Sequence, residues 1–179
     1  MGWKAIKDHY RIGHMVHVRD GLICIGSPFI PDIITLNPFG QFVKRYDPGR
    51  GWPQNDDLAR YMAEIEADPE KCRELAQAED VFATTIPVYT YDENSIIECA
   101  CEELGYPNVT HDGRLMYDNT FSPDRAEVVR WAVRSARGRV SIYAERVADE
   151  TRTLSDLSNM LGQAVKNYHT LLENEAADA

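Results

Sequence analysis

The chain has 179 residues, enough for one domain of ordinary size with a helical extension. Acidic residues outnumber basic ones by 29 to 19, and this net charge of −10 argues against a general binder of nucleic acid or anionic membranes, because a phosphate surface must be neutralised by Lys and Arg. The composition, 44% apolar and 27% charged, is typical of a soluble globular protein. No stretch approaches the roughly 20 apolar residues of a membrane span, so we expect a cytoplasmic protein.

The first part of the chain has the pattern of a small antiparallel sheet. Apolar residues alternate over residues 10–18, and Asp20-Gly21 is a strong signal for a two-residue hairpin turn. Further strands are predicted over residues 22–25, 33–36 and 41–46. A meander of this size cannot bury both of its faces alone, so helices must cover one of them.

The middle of the chain predicts helices and one strand. Asn55 is a suitable N-cap for a helix, and Asp68 with Pro69 ends that helix and begins another. Residues 84–91 alternate as a strand, in which Pro87 favours an edge position.

The region around the last two cysteines predicts a further helix over residues 92–104. Cys99 and Cys101 would then point to different sides of that helix and would not share a metal ion. The four cysteines have no spacing typical of a disulfide framework or a zinc site, so we expect reduced thiols, no metal and no cofactor. A second hairpin is predicted over residues 109–117, with Asp112-Gly113 at its turn.

The last third of the chain predicts one long helix. Ser122-Pro123-Asp124 combines a hydroxyl cap, a proline and an acidic residue at a helix start. Apolar residues then recur at alternating steps of three and four, interrupted only at Glu150: Val129, Val133, Ala136, Val140, Tyr143, Val147, Leu154, Leu157, Leu161, Ala164, Tyr168 and Leu171. This heptad pattern continues for about six heptads and is typical of a coiled coil.

A helix of about 50 residues spans roughly 75 Å, and its apolar stripe needs a partner. The stripe can pair with a second copy of the chain, or the helix can fold back on itself near Glu150, where residues 149–153 are polar and partly β-branched. We favour self-association. The sequence thus predicts an α+β fold: a meander with covering helices in a domain over residues 1–121, and a helix over residues 122–179 that forms an oligomeric coiled-coil-like bundle.

The long helix also carries a basic cluster. Arg130, Arg134 and Arg137 lie at positions i, i+4 and i+7, on one face. A guanidinium group can grip phosphate or carboxylate with two hydrogen bonds, so the cluster is a candidate for binding a nucleotide or an acidic partner. The alternative is a solvated helix face paired with the acidic residues of the chain.

A second polar group lies on and beside the predicted hairpin over residues 109–117: Thr110, His111, Asp112, Arg114, Tyr117 and Asp118. A histidine beside a carboxylate can do acid–base chemistry, but neighbouring strand residues point to opposite faces and Asp-Gly is explained by the turn. We therefore predict a ligand-contacting loop with no catalytic residue, in which His111 takes part, Tyr117 stacks on a base and Arg114 meets a phosphate.

Residues 7–14 (Lys-Asp-His-Tyr-Arg-Ile-Gly-His) and much of residues 105–119 resemble segments of small uncharacterised accessory proteins of tailed phages. The resemblance carries over no binding or catalytic residue. It implies an anti-defence protein that sequesters a nucleotide immune signal or inhibits a host immune protein. The alternatives are a phosphodiesterase-like enzyme that acts on a nucleotide or nucleic acid through His111 and Asp112, and a virion assembly protein.

Overall fold

The computed structural model describes residues 1–49 and 54–177, with side chains up to residue 174. The chain divides into two units, Met1–Arg130 and Trp131–Ala179. The first unit combines helices with antiparallel sheets, and a long helix follows at the C-terminal side. The fold is therefore α+β, as the sequence predicts.

The described helices are α1 (Trp3–His9), α2 (Asp56–Ala67), α3 (Pro69–Gln77) and α4 (Arg125–Ala177). The described strands are β1 (Met15–Arg19), β2 (Leu22–Gly26), β3 (Ile34–Leu36), β4 (Phe42–Lys44), β5 (Ile86–Asp92), β6 (Ser95–Cys101), β7 (Asn108–Val109) and β8 (Leu115–Met116). Strands β1 to β4 form one antiparallel sheet in chain order, and β5–β6 and β7–β8 form two hairpins.

The β1–β2 turn confirms the first predicted hairpin. Arg19 pairs with Leu22, so Asp20 and Gly21 are its two turn residues. Both have positive φ, 52° and 74°, as a type I′ turn requires. The meander that follows buries Ile23, Ile25, Ile34 and Leu36 completely against the helices of the first unit.

Helix α1 is absent from the sequence prediction, which begins its first strand at residue 10, whereas β1 begins at Met15. The residue before α1 is Gly2, which has no side chain to cap the helix. The carboxylate of Asp80 accepts the hydrogen bond of the Ala5 N–H instead, at 2.8 Å. A cap supplied from 75 residues away leaves no local trace in the sequence.

Helices α2 and α3 confirm the predicted caps. The Asn55 side chain accepts a hydrogen bond from the Leu58 N–H at 3.1 Å, and Asp68 accepts one from the Lys71 N–H at 2.9 Å. Pro69 occupies the first turn of α3, where its missing N–H leaves no intrahelical bond unmade.

The predicted helix over residues 92–104 is wrong. Most of this segment is strand β6, which pairs with β5 along its whole length, from Asp92 opposite Ser95 to Ile86 opposite Cys101. Cys99 and Cys101, two apart on a strand, therefore share a face, contrary to the prediction. All four cysteines are free thiols, and no group of three or more metal-ligating side chains occurs among the described residues.

Helix α4 runs without a break from Arg125 to Ala177, so the alternative in which it folds back near Glu150 is wrong. The Thr151 hydroxyl donates to the carbonyl of Val147 at 2.7 Å, and the Thr153 hydroxyl donates to that of Asp149 at 3.1 Å. Threonine can make such bonds inside a helix, so these β-branched residues do not end it.

The start of α4 lies two residues later than Ser122. Asp124 is the cap, because its carboxylate accepts the hydrogen bond of the Ala126 N–H at 2.8 Å. The Ser122 hydroxyl instead accepts the Asp124 N–H at 3.1 Å and donates to Glu127 at 2.6 Å. Pro123 therefore precedes the helix.

The apolar stripe of α4 is exposed along the second unit. In the first unit, Val128 of α4 is fully buried, whereas Val129, the first residue of the heptad pattern, is half-buried. Farther along, Val140, Leu154 and Leu171 are each about two-thirds exposed, at 68%, 66% and 68%. Within the described part of the chain, no helix is long and apolar enough to cross a membrane.

Candidate functional site

The structure brings Arg114 and Tyr117 together at one cleft of about 360 Å³ in the first unit. The cleft lies beside the β5–β6 hairpin and the segment that follows β8. We call it the Arg114 cleft. The side chains with polar or aromatic character in its wall are Thr90, Tyr91, Asp92, Arg114, Tyr117, Thr120 and Phe121.

The turn between β7 and β8 positions Arg114. The fully buried Thr110 hydroxyl accepts the Arg114 N–H at 2.9 Å and donates to the carboxylate of Asp112. Oδ2 of Asp112 lies 2.9 Å from Nε of Arg114. These contacts connect a buried hydroxyl, a carboxylate and the guanidinium group, so Thr110, which the sequence places in this polar group, positions Arg114 through contacts that the sequence does not predict.

The ion pair with Asp112 leaves Arg114 available for an anion. The pair uses Nε, and a guanidinium group has four further N–H donors on its terminal nitrogens. Both side chains are about half exposed, at 49% and 51%. The Arg114 fork can therefore reach a phosphate or carboxylate in the cleft.

Tyr117 is held at both its ends. Its hydroxyl donates to the carbonyl of Pro28 at 3.3 Å, and its backbone N–H donates to the Thr120 hydroxyl at 3.2 Å. Phe121 is 5% exposed, whereas Tyr91 and Tyr117 are half-buried. The cleft thus offers half-buried aromatic rings, on which the flat face of a base can stack.

Asp92 and Cys99 are two further titratable groups in and near the Arg114 cleft. Oδ1 of Asp92 accepts the Glu93 N–H at 2.8 Å, and its carboxylate adds an acceptor to the cleft wall. Burial raises the pKa of the Cys99 thiol, and the negative charge of Asp112 raises that pKa further. Cys99 is therefore protonated at neutral pH and is not a nucleophile.

His111 does not line the Arg114 cleft. Its ring stacks on Phe82, with 3.7 Å between centroids and 6° between planes. Its Nε2 is buried and has no partner within the described part of the chain, and its backbone carbonyl accepts the Trp3 Nε1–H at 3.2 Å. These contacts give His111 a packing role at α1.

The arginine cluster of α4 also lies outside the cleft. Arg130 belongs to the first unit, whereas Arg134 and Arg137 belong to the second, and all three are exposed. Nη2 of Arg130 lies 3.7 Å from the carboxylate of Asp124. This pairing fits the alternative of a solvated charged face.

A larger cleft of about 510 Å³ was not predicted at all. It includes Lys7, His14 and Asp57, which come from three separate segments. His14 is held by the Tyr61 hydroxyl at 3.2 Å and the Asn55 amide at 3.4 Å. Among the described residues its wall contains no Phe, Tyr or Trp ring, so these residues offer no stacking surface like that of the Arg114 cleft.

Comparison with known proteins returns no relative: no protein-family model, no curated protein and no solved structure matches this chain.

Proposed function

We propose that this chain is a non-enzymatic binding protein that holds a nucleotide in the Arg114 cleft. The observation that supports this most directly is the placement of a partly exposed guanidinium group and half-buried tyrosines at one cleft. Its volume of about 360 Å³ lies in the range of small-molecule sites, which begins at about 300 Å³.

Each part of a nucleotide has a chemical match in this wall. The Arg114 fork suits a phosphate, because two parallel N–H groups can donate to two of its oxygens. The ring of Tyr117 or Tyr91 suits the face of a base. The carboxylate of Asp92 suits a ribose hydroxyl, because the hydroxyl can donate a hydrogen bond to a carboxylate oxygen.

We further propose that α4 assembles copies of the chain. A heptad stripe along a continuous helix, with apolar residues such as Val140, Leu154 and Leu171 about two-thirds exposed, supports this, because large exposed apolar surfaces mark interaction sites. Each copy brings one Arg114 cleft, so an oligomer binds several nucleotides at once. Such an assembly is suited to sequestering a ligand rather than transforming it.

The phage resemblance suggests the biological setting. In that setting the assembly acts in the cytoplasm of the host, where it opposes host defence by removing a nucleotide immune signal. Inhibition of a host immune protein is the other anti-defence role, and it requires no nucleotide in the cleft. A nucleotide-binding assay therefore separates the two roles.

The enzymatic alternative that uses His111 with Asp112 has no support in the geometry. Among the described residues, no hydrogen bond joins their side chains. His111 stacks on Phe82, while Asp112 is engaged by Thr110 and Arg114. An acid–base pair must lie within hydrogen-bond reach of the reacting atoms, and these contacts hold the two groups in other roles.

Thermal unfolding with a panel of cyclic nucleotides and ADP-ribose derivatives tests the nucleotide proposal. A ligand at 100 times its Kd stabilises a protein by about 2.7 kcal/mol, so at least one compound should raise the Tm clearly. Arg114→Gln and Tyr117→Ala should each weaken that compound by tenfold or more in calorimetry. The matched control is Arg19→Gln, an exposed arginine paired with Asp20 on the β1–β2 turn, which should leave Kd unchanged.

Two results would contradict this proposal. One is a panel in which no compound shifts the Tm. The other is an unchanged Kd in Arg114→Gln. Light scattering after gel filtration tests the assembly separately, because a strict monomer contradicts the role of α4 whatever the cleft binds.

A further inference from the structure

The apolar stripe of α4 in the second unit is long and exposed, with Glu150 as its polar position. We call the heptad positions from Val133 to Leu171 the seam. At 1.5 Å per residue the seam is about 57 Å long, and a strip about 10 Å wide gives roughly 570 Å² on each copy. Two copies thus bury about 1,100 Å², close to the roughly 1,200 Å² at which stable interfaces begin.

We infer that the seam binds the same seam of a second copy that runs in the opposite direction, with the two-fold axis near Arg152. This inference rests on the proposed self-association and adds its direction and register. With the axis at Arg152, Val133 faces Leu171 of the second copy. The seam positions lie at equal numbers of residues before and after Arg152. Every seam position between Val133 and Leu171 therefore also faces a seam position of the second copy.

Side-chain sizes favour this arrangement. Antiparallel pairing sets the small Ala136 opposite the large Tyr168, and the small Ala164 opposite Val140. Parallel pairing in register sets alanine opposite alanine and tyrosine opposite tyrosine at these layers. Even packing needs large residues opposite small ones, since two alanines leave a void and two tyrosines crowd each other.

Glu150 gives an independent argument for the same direction. It occupies a seam position in the middle of α4. In a parallel pair it faces Glu150 of the second copy, and two carboxylates are then forced together at a partly desolvated layer. In the antiparallel pair it faces Leu154, and the two carboxylates lie about 6 Å apart along the axis, near the helix surface.

The charge of the helix also changes sign along its length. Residues 131–146 carry four arginines and one glutamate, a net +3. Residues 147–174 carry four acidic and two basic residues, a net −2. Antiparallel pairing about Arg152 sets residues 131–146 opposite residues 158–173, which carry one lysine and one glutamate and no net charge, whereas parallel pairing sets two segments of +3 side by side.

Disulfide trapping in the full-length protein tests the direction. Val147 faces Leu157 of the second copy in the antiparallel pair, while the two positions are about 15 Å apart along one helix. The Val147→Cys and Leu157→Cys proteins, one of which carries a size tag, are mixed so that their subunits exchange. The mixture is then oxidised. We expect a mixed disulfide dimer as the main product, and little crosslinking of either variant alone.

The matched control pair is Glu145→Cys with Asn159→Cys, which lie at equal heights on the outer face and should not crosslink. The wild-type protein controls for its own thiols, of which three are buried and Cys99 is half-buried. If Val147→Cys crosslinks with itself, the pair is parallel and the inference is wrong, although self-association stands. A dimer that forms no mixed disulfide also contradicts it, and a monomer by sedimentation equilibrium overturns both proposals.

Discussion

Gly113 is the residue on which the position of the Arg114 turn depends. Its φ is +88°, its carbonyl accepts the Val18 N–H at 2.8 Å, and a Cβ at this position would overlap the side chain of Val18. We predict that Gly113→Ala lowers the free energy of unfolding by about 2–4 kcal/mol, since it adds backbone strain to steric overlap. Urea unfolding followed by circular dichroism measures this.

Gly21→Ala is the matched control for Gly113→Ala. Gly21 also has positive φ, 74°, but nothing lies within 4 Å of a Cβ there. Its substitution therefore carries the backbone strain alone, about 1 kcal/mol. If the two substitutions lower the free energy of unfolding equally, the overlap with Val18 adds nothing to the cost at Gly113.

We expect the buried His17 to make the stability of the first unit depend on pH. It is 1% exposed, and its Nε2–H donates to the carbonyl of Pro31 at 3.0 Å. Burial lowers the pKa of His17 below its usual 6.5, so the folded state binds fewer protons here than the unfolded state. Stability from this group is therefore present above pH 6.5 and is lost as the pH falls below it, by up to about 1.4 kcal/mol per pH unit.

Urea unfolding of wild type and His17→Phe at several pH values between 5 and 8 tests this dependence. The variant lacks the Pro31 hydrogen bond and is expected to be less stable at pH 8. Its stability should fall less steeply than that of wild type as the pH is lowered. Parallel curves would contradict a role for His17.

Sequence reasoning at this scale found Arg114 and Tyr117 but not what holds them. An arginine and a tyrosine near a predicted turn are visible as residue types. The contacts from Thr110 to Asp112 to Arg114 depend on a buried hydroxyl, and burial is set by strands distant in sequence. For the same reason the sequence predicts His111 as a member of this site, although its ring stacks on Phe82.

At the scale of elements, predictions succeeded where the signal is local. The caps at Asn55 and Asp68 and the Asp20-Gly21 turn act within three or four residues. The sequence predicts a helix where strand β6 lies, because seven residues of pairing with β5 decide the structure of this segment. Short apolar segments fit the residue period of a helix as well as that of a strand, and tertiary pairing decides between the two.

The two glycines inside α4 give a prediction about this helix alone. Gly138 and Gly162 lie on its outer positions, and nothing is within 4 Å of a Cβ at either. Each glycine in a helix interior costs about 1 kcal/mol relative to alanine. Gly162→Ala should therefore slow backbone amide exchange in the C-terminal half of α4 by about fivefold. Unchanged or faster exchange would indicate that this half of the helix needs glycine there.

At the scale of the whole chain, the α+β class and the long helix could be predicted because both depend on periodic patterns. The α4 heptads repeat the same signal six times, so one polar residue at Glu150 does not hide it. The clefts could not be predicted in the same way. Each is lined by segments far apart in the chain, and only the packing of the first unit brings those segments together.

The seam predicts how assembly and helix content are coupled. Leu157 is 56% exposed on an isolated chain and lies at a seam position, so Leu157→Glu places a charge in the interface of the oligomer. We expect it to weaken self-association at least a hundredfold by sedimentation equilibrium. The helix signal in circular dichroism should fall as well, because helices depend mostly on packing of their apolar face for stability.

Asn159→Glu is the matched control for Leu157→Glu, since it adds the same charge two residues away on the outer face of α4. It should remain as associated and as helical as wild type. The N-terminal unit has its own buried core, so nucleotide binding by a monomeric Leu157→Glu protein should keep its Kd per cleft. An associated Leu157→Glu protein would place the interface on another face of the helix, whereas loss of both association and binding would show that the cleft requires the assembly.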